Sequence, residues 1–402
     1  MPAIGIIKYN IIQNHNWNIE GGFTKDMKEY HFSKEDTLCV KAIAVMLMLT
    51  HHLFAFPDKL HDGAEYVGIF TMNDGQSFAM LLGNFGKLCV ALFMMLSGFG
   101  IYRSYMLKER KDSETMTGII IKRIRNSYIK YWQILIIFAP MGLIIGAENI
   151  TKECTPVDWV KNFLAIDTKF NSEAWFLTMY LLTLCLLPLI IRWFERKNAN
   201  PWADAVWIML FNVVVITVLS SFVENIELMR SFNETYYYQK LHTVLSMLAM
   251  FMAGCYLAKY GIIEKIHNKF DFGYVAKIVG VIIIAVVFLL RENWAMRTKW
   301  GWDRLDFVYA AAFTIAVALI IDGLTHVKRI LGFVGKYATG IWLTHSFFCY
   351  YYCQKLIYAP KNTILIFIFL LGLSLFVAWG LDTLYSVIWK YTRILFVNEE
   401  EK

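Results

Sequence analysis

Leu38 to Phe56 reads LCVKAIAVMLMLTHHLFAF, nineteen residues with the length and apolarity of a membrane span, interrupted by Lys41 and the adjacent His51 and His52. A polar side chain at such depth is costly unless it faces a protein interior or a watery cavity. The stretch is therefore either a span held by its neighbours or one wall of a site. What surrounds it decides between them.

Over 402 residues, 57% are apolar, 16% aromatic and only 18% charged, far from a soluble average. The expected fold class is an all-α polytopic membrane helical bundle, with the lipid bilayer as its principal partner. A net charge of +7 fits basic cytoplasmic loops. No solvated basic domain remains to bind nucleic acid. The seven cysteines (39, 89, 154, 185, 255, 349 and 353) lie mostly inside apolar runs without a framework spacing, as small buried hydrophobes do. The first 36 residues are polar and of mixed charge, so the first span is expected to act as an uncleaved signal.

Runs near the ~20 residues that cross a bilayer core number about ten: Leu38 to Phe56, Met80 to Tyr102, Ser127 to Ala147, Ala174 to Phe194, Ala203 to Phe222, Leu241 to Tyr260, Val275 to Leu290, Leu305 to Leu324, Val334 to Lys355 and Thr363 to Ile388. The expected organisation is a tail (1–36), one transmembrane domain (37–390) and a second tail (391–402). Lys25, Lys28 and Lys34 precede the first span; Arg103, Lys108, Arg110, Lys111, Lys122, Arg123 and Arg125 lie between the second and third; Arg192, Arg196 and Lys197 follow the fourth. Between the first and second stand Asp58, Asp62, Glu65 and Asp74 against a single Lys59. By the positive-inside rule both termini are expected to be cytoplasmic, and the expected location is the plasma membrane, crossed several times. Arg291, Arg297, Lys299 and Arg304 fall on the outer side against this trend; a miscounted span or a basic patch facing substrate would each explain them.

Lys41 and His52 stand eleven positions apart. At ~100° and 1.5 Å per residue they share one helix face, separated by about 16 Å along the axis. His51 is turned about 100° away. Lys41 has the alternative of reaching to the inner headgroups, and either histidine that of a hydrogen bond to a neighbouring helix. His345, in TGIWLTHSFF, is expected at a depth similar to that of His52. The second span brings SGFG, Ser97 to Gly100, toward the inner half, where small residues admit a backbone or a slender ligand. In IKRIRNSYIKYW, Lys122, Arg123 and Arg125 form a cluster at the cytoplasmic mouth of the third span, next to Lys130. Such a cluster suits phosphates and equally an ordinary topological anchor.

The ordered set Lys41-x10-His52, GKLCVALFMMLSGFGIY (Gly86 to Tyr102), KRIRNSYIKYW, NSEAWFLTMYLL (Asn171 to Leu182) and LGFVGKYATGIWLTH (Leu331 to His345) resembles acyltransferase family 3, over roughly residues 36 to 390. The resemblance implies a ten-helix membrane O-acyltransferase. Its donor would be acetyl-coenzyme A, as co-substrate, and its acceptor a hydroxyl of a glycan or lipid-linked sugar on the outer side. It carries the family's first-helix histidine onto His52 and puts Lys41 where many members have arginine, without arginine's bidentate fork. Ser97, Gly98 and Phe99 would lie beside the thioester end of the donor. The family's arginine pair, three apart, is only approximated: Arg123 is followed in register by Asn126, whereas Lys122 and Arg125 do stand three apart.

The chemistry suits these residue types. A sugar hydroxyl is a weak nucleophile, and histidine can take its proton as it attacks a thioester carbonyl. His52 is the expected general base. A direct ternary-complex transfer is expected, because no motif marks an activated serine or cysteine. The acids available to orient His52 are Glu173 and Asp382; Glu173 is nearer the expected depth and takes the catalytic assignment. Trp175 would stack on an acceptor sugar or anchor the helix at the interface, and His345 would support the outer site or close a helix contact. A proton-coupled transporter or flippase would also place Lys and His on one buried face, with repeated halves and broken helices; no internal repeat is visible. A metal site from His51, His52 and His345 lacks ligand spacing, and no metal is expected. Either a separate partner protein would finish the transfer outside or this chain would complete it.

Overall fold

The computed structural model describes residues 29–61, 63–68, 70–71, 76–107, 115–152, 154–214, 218, 235–270, 273–298 and 304–400, with side chains omitted for 293–298 and 392–400. The second half of the fifth expected span lies outside the described residues, as do Lys25, Lys28, Lys108, Arg110, Lys111 and Lys299. The described chain is helical throughout. Its helices are α1 (Lys34–Phe54), α2 (Phe78–Gly86), α3 (Cys89–Tyr102), α4 (Met116–Ile145), α5 (Glu148–Thr151), α6 (Pro156–Phe163), α7 (Trp175–Cys185), α8 (Leu187–Phe194), α9 (Pro201–Val213), α10 (Tyr236–Tyr260), α11 (Ile262–Lys269), α12 (Tyr274–Thr298), α13 (Asp306–Ile321), α14 (Thr325–Lys336), α15 (Ala338–Ser346), α16 (Gln354–Tyr358) and α17 (Thr363–Glu400).

Among the described residues, six helices are long and apolar enough to cross a membrane, or seven if the bent pair α7–α8 is one span. This is a polytopic bundle with fewer unbroken spans than the ten apolar runs suggest, and the reasons are local. The eighth run folds as α13, only 16 residues long. The ninth breaks into α14, α15, a π turn at Phe347–Tyr352 and α16. The fourth bends by 54° between α7 and α8, where Pro188 at the start of α8 has no N–H to continue the ladder. The last run extends past its apolar stretch, the helix continuing from Thr363 to Glu400.

The outside of the bundle is apolar. Only 22% of the most apolar window of α12, and likewise of α17, is covered by protein, leaving Ile278, Val281, Ile282, Leu289, Ile364, Ile368 and Phe376 exposed. Helices that are apolar on their uncovered faces match lipid as solvent.

The middle is α1. It starts at a capping box, where Ser33 Oγ accepts from Asp36 N at 3.1 Å and Asp36 Oδ2 accepts from Ser33 N at 2.8 Å. Glycines let its neighbours approach. A Cβ on Gly86 of α2 would meet Leu47 O at 2.3 Å, and one on Gly335 of α14 would meet Leu38 O at 1.9 Å. The same device joins α3 to α10, where a Cβ on Gly98 would meet Phe251 O at 2.1 Å and one on Gly254 would meet Met95 O at 1.9 Å. Without a hydrophobic driving force between helices in lipid, such close approach supplies the dispersion contact that holds them.

One of the cations expected on the outer side is explained by the fold. Arg291 is 1% exposed; its Nε and Nη2 donate to the Asp306 carboxylate at 2.9 and 3.0 Å, and its Nη1 donates to Asn84 O at 3.0 Å, near the end of α2. It is an internal clamp joining α12, α13 and α2, not a patch facing substrate.

Candidate active site

Five helices enclose a cavity of about 640 Å³. From α1 come Thr37, Lys41, Met48, His51 and His52, from α3 Phe93, Ser97 and Gly100, from α4 Arg123, Asn126, Ser127 and Lys130, from α7 Trp175 and Tyr180, and from α15 Thr339 and Trp342; Lys59 and Glu173 close one end. The positions on α1 and α4 recur at three, four and seven residues, the repeat of a single helix face. The apolar stretch met first in the sequence is thus one wall of a cavity reaching from Lys41 to His52.

At the basic end, Lys34 and Arg123 stand close enough to Lys41 to repel it. Neither Lys41 nor Arg123 has a hydrogen-bond or ion-pair partner among the described residues. Lys130 is paired with Asp382, so Asp382 belongs to the basic end and does not orient His52. Lys122 and Arg125 are exposed and turn away from the cavity; the face that looks inward keeps Arg123, Asn126 and Lys130. The shifted pair suggested by spacing is therefore not what the cavity receives.

SGFG is divided by its helix. Ser97 and Gly100 line the cavity, and Ser97 Oγ donates to Phe93 O at 2.7 Å. Gly98 instead faces α10, and Phe99 is buried edge-on to Phe32 at 5.3 Å between ring centroids. These two residues build the wall without lining the cavity.

At the other end, His52 and Glu173 are brought together, with Nε2 3.5 Å from Oε2 and side-chain exposures of 11% and 9%. Glu173 sits in a 3-10 turn (Lys169–Ala174) that breaks helical geometry at Asn171, φ −145° and ψ 88°. Asn171 Nδ2 donates to Leu343 O at 2.8 Å, Ser346 Oγ donates to Asn171 Oδ1 at 2.8 Å, and Trp342 Nε1 donates to Glu173 O at 3.0 Å. The turn is thereby pinned to α15. Ser172 Oγ at 3.2 Å and Lys59 Nζ at 3.5 Å face Glu173 Oε1.

Tyr350 settles the tautomer of His52. Its hydroxyl donates to His52 O at 2.7 Å, so at the 3.1 Å contact with His52 Nδ1 the ring nitrogen is the donor. Nε2 then keeps its lone pair on the side of Glu173. A neutral Nε2 gains little from the carboxylate, whereas an imidazolium would be stabilised by it, an interaction that strengthens as a proton is taken.

His345 is fully buried, its Nδ1 donates to Trp342 O at 2.6 Å, and its ring lies 4.9 Å from that of His52. It supports the ring of His52 from behind and does not line the cavity. His51 does line the cavity, its Nδ1 bonded to Gly83 O at 2.8 Å, so the turn of about 100° per residue separates the two histidines without removing His51 from the site. The three rings are neighbours, yet among the described residues no group of three or more His, Cys, Asp or Glu is arranged to hold a metal ion. Trp175 lines the cavity at its side.

Sequence reasoning missed Tyr350, Lys59 and Asn171. Tyr350 lies in the π turn that breaks the ninth run, and no periodicity places it. Lys59 was visible as the one cation in an acidic loop, and Asn171 as an amide at the mouth of an apolar run.

No match was found among curated proteins or among solved structures. A comparison with protein families matches residues 39–383, from Cys39 in α1 to Thr383 in α17, to one described as an acyltransferase domain. That range takes in every lining residue named above except Thr37. The chain belongs to acyltransferase family 3.

Proposed function

We propose that this protein is a membrane O-acyltransferase that carries an acyl group, acetyl in the first instance, from acyl-coenzyme A on the cytoplasmic side to a hydroxyl of a cell-surface or exported glycan. The observation that carries the reading is the cavity itself, which has uncompensated cations at one end and a tautomerically defined histidine at the other. Diphosphate and ribose phosphate suit Lys41 and Arg123, which lack counter-charges. The ~16 Å from Lys41 to His52, from the helical rise, is comparable to an extended pantetheine arm.

In the step itself, His52 Nε2 takes the proton of the acceptor hydroxyl as its oxygen bonds to the thioester carbonyl carbon. The tetrahedral intermediate collapses by breaking the carbon–sulfur bond, and the His52 proton passes to the departing thiolate. Products are the glycan ester and free coenzyme A, and His52 is neutral again. Glu173 stabilises the transient imidazolium, and Tyr350 holds Nδ1 so that Nε2 is the basic nitrogen.

The test is mass spectrometry of envelope glycans from cells with and without the protein, scoring an acyl ester lost on mild base treatment. An ester that depends on the protein and vanishes in His52→Ala supports the reading. Unchanged ester content together with altered substrate flux would overturn it in favour of a transporter.

A further inference from the structure

As a hydroxyl adds to a thioester, the carbonyl oxygen becomes negative, and inside a cavity of low dielectric that charge needs a donor placed in advance. Among the described residues, the side chains that hydrogen-bond or pair with His52 and Glu173 are Tyr350, Ser172, Trp342 and Lys59. Three have given their protons away: Tyr350 Oη donates to His52 O at 2.7 Å, Trp342 Nε1 to Glu173 O at 3.0 Å and Ser172 Oγ to Glu173 Oε1 at 3.2 Å. Lys59 differs. Its ammonium carries three donors, and the 3.5 Å contact with Glu173 Oε1 uses one of them. The side chain is 41% exposed and lines the cavity beside Glu173. Its place is fixed from several directions. The ammonium lies over the rings of Phe56 and Tyr350, 4.5 and 4.8 Å from their centroids. Lys59 O accepts from Gln354 Nε2 at 3.0 Å, the same nitrogen donates to Cys349 O at 3.0 Å, and Gln354 Oε1 accepts from His61 N at 2.8 Å. Gln354 is buried. One internal amide thus ties the 3-10 turn that bears Lys59, Pro57–Lys59, to the π turn that bears Tyr350.

We propose that Lys59 is a third catalytic residue, the cation that receives the negative oxygen of the tetrahedral intermediate. This role rests on the acyl-transfer reading. Glu173 stands between the two working groups, with Oε2 facing His52 and Oε1 facing Lys59. Before reaction the carboxylate and the ammonium offset each other and His52 is neutral. As the acceptor oxygen bonds to the carbonyl carbon, its proton passes to His52 Nε2 and the π pair of the carbonyl moves onto its oxygen. The imidazolium then faces Glu173 and the oxyanion faces Lys59, so four charges alternate in sign and sum to zero, as the original two did. When the carbonyl re-forms, the carbon–sulfur bond breaks, the thiolate takes the His52 proton, and Lys59, which keeps its own protons throughout, returns to Glu173. Attractions that arise only as charge separates lower the barrier without tightening the hold on either substrate. The ring faces of Phe56 and Tyr350 hold the ammonium by cation–π attraction and leave its charge unneutralised.

Inverted membrane vesicles carry the acceptor as the cell makes it, and entry of label from radiolabelled acetyl-coenzyme A into base-labile ester reads the rate. Lys59→Met is expected to lower that rate at saturating donor by roughly 10²–10³-fold, with the KM for acetyl-coenzyme A within about twofold of wild type. Lys59→Arg, which restores a cation in a different shape, should recover about tenfold of the loss. Lys59→Gln, which keeps N–H donors without the charge, should lie between the two, a grading that misfolding does not produce. Lys361→Met, which breaks an exposed pair with Glu65 outside the cavity, should match wild type. A Glu173→Gln background separates a direct role from one exerted through the carboxylate, and adding Lys59→Met to it should still cost about tenfold or more. A double variant as active as Glu173→Gln alone would overturn the proposal, because Lys59 would then act only by holding Glu173. So would a Lys59→Met rate within about twofold of wild type, a loss that appears in KM, or the absence of any grading among the three variants. Wild-type vesicles that bind acetyl-coenzyme A yet form no base-labile ester would instead overturn acyl transfer, and the role of Lys59 with it.

Discussion

His52 differs from an ordinary buried histidine in having one nitrogen committed. Tyr350 Oη gives its proton to the His52 carbonyl, so Nδ1 must donate and Nε2 must accept. Replacing His52 with alanine is expected to lower transfer by roughly 10²–10⁴-fold while the protein still inserts and binds acyl-coenzyme A; His51→Ala should be milder, because its ring is committed to Gly83 O. Tyr350→Phe tests the tautomer directly: kcat should fall by about tenfold with little change in either KM. Glu173→Gln, which removes the carboxylate facing Nε2, should lower kcat with little change in either KM. The shared face of Lys41 and His52 was legible in the sequence because both lie on one regular helix, where spacing converts directly into direction. Tyr350 was not, because it lies in a π turn, where that conversion fails.

Among elements, the contact of α3 with α10 and the seating of the 3-10 turn on α15 carry the greatest consequence. Gly98→Ala would drive a methyl carbon to 2.1 Å from Phe251 O, forcing the helices apart at a cost of ~1–3 kcal/mol, which thermal unfolding in detergent would register. Its effect on activity should follow from that displacement of the wall, since Gly98 does not line the cavity. Asn171→Ala would leave Ser346 Oγ and Leu343 O without their buried partner, costing ~1–3 kcal/mol and releasing Glu173 from its position; a kcat loss exceeding the stability loss would identify the turn as a positioning element. The glycine-bearing motif was readable as a close approach. Which glycine meets a helix and which meets the cavity depends on the rotation of α3, and that is set by α10, some 150 residues away in the chain. Lengths of elements were the least legible feature, since α13, the α14–α16 break and the bend at Pro188 are governed by packing and backbone chemistry that an apolar run does not register.

For the molecule as a whole, the cavity cations without a partner among the described residues, Lys41 and Arg123, stand together at one end of the cavity. Lys41→Met or Arg123→Ala should raise the KM for acetyl-coenzyme A by roughly 10–100-fold, the loss of a charge-assisted contact, and should flatten its dependence on ionic strength; Lys122→Ala, on the exposed side of α4, should do neither. Arg291→Ala is expected to destabilise the fold by ~3–5 kcal/mol because it removes the buried bidentate partner of Asp306, and its Tm should fall without a selective change in either KM. The bundle class could be read from composition and the basic end from its flanking cations. The meeting of His52 with Glu173 and Tyr350 could not, because it arises from turns that lie apart in sequence and share no periodic pattern.

A cavity that would admit a donor from one side and deliver to the other puts the membrane's insulation at stake. Water continuous from Lys41 to His52 would offer protons a path down their gradient, with an imidazole at its far end. The unneutralised Lys41 and Arg123 supply a positive potential at the mouth, which resists entry of hydronium and metal cations while it draws in phosphate. The same two charges that would hold coenzyme A would thus act as an electrical seal when it is absent, so vesicles containing Lys41→Met protein should dissipate a pH gradient faster than vesicles containing the parent chain.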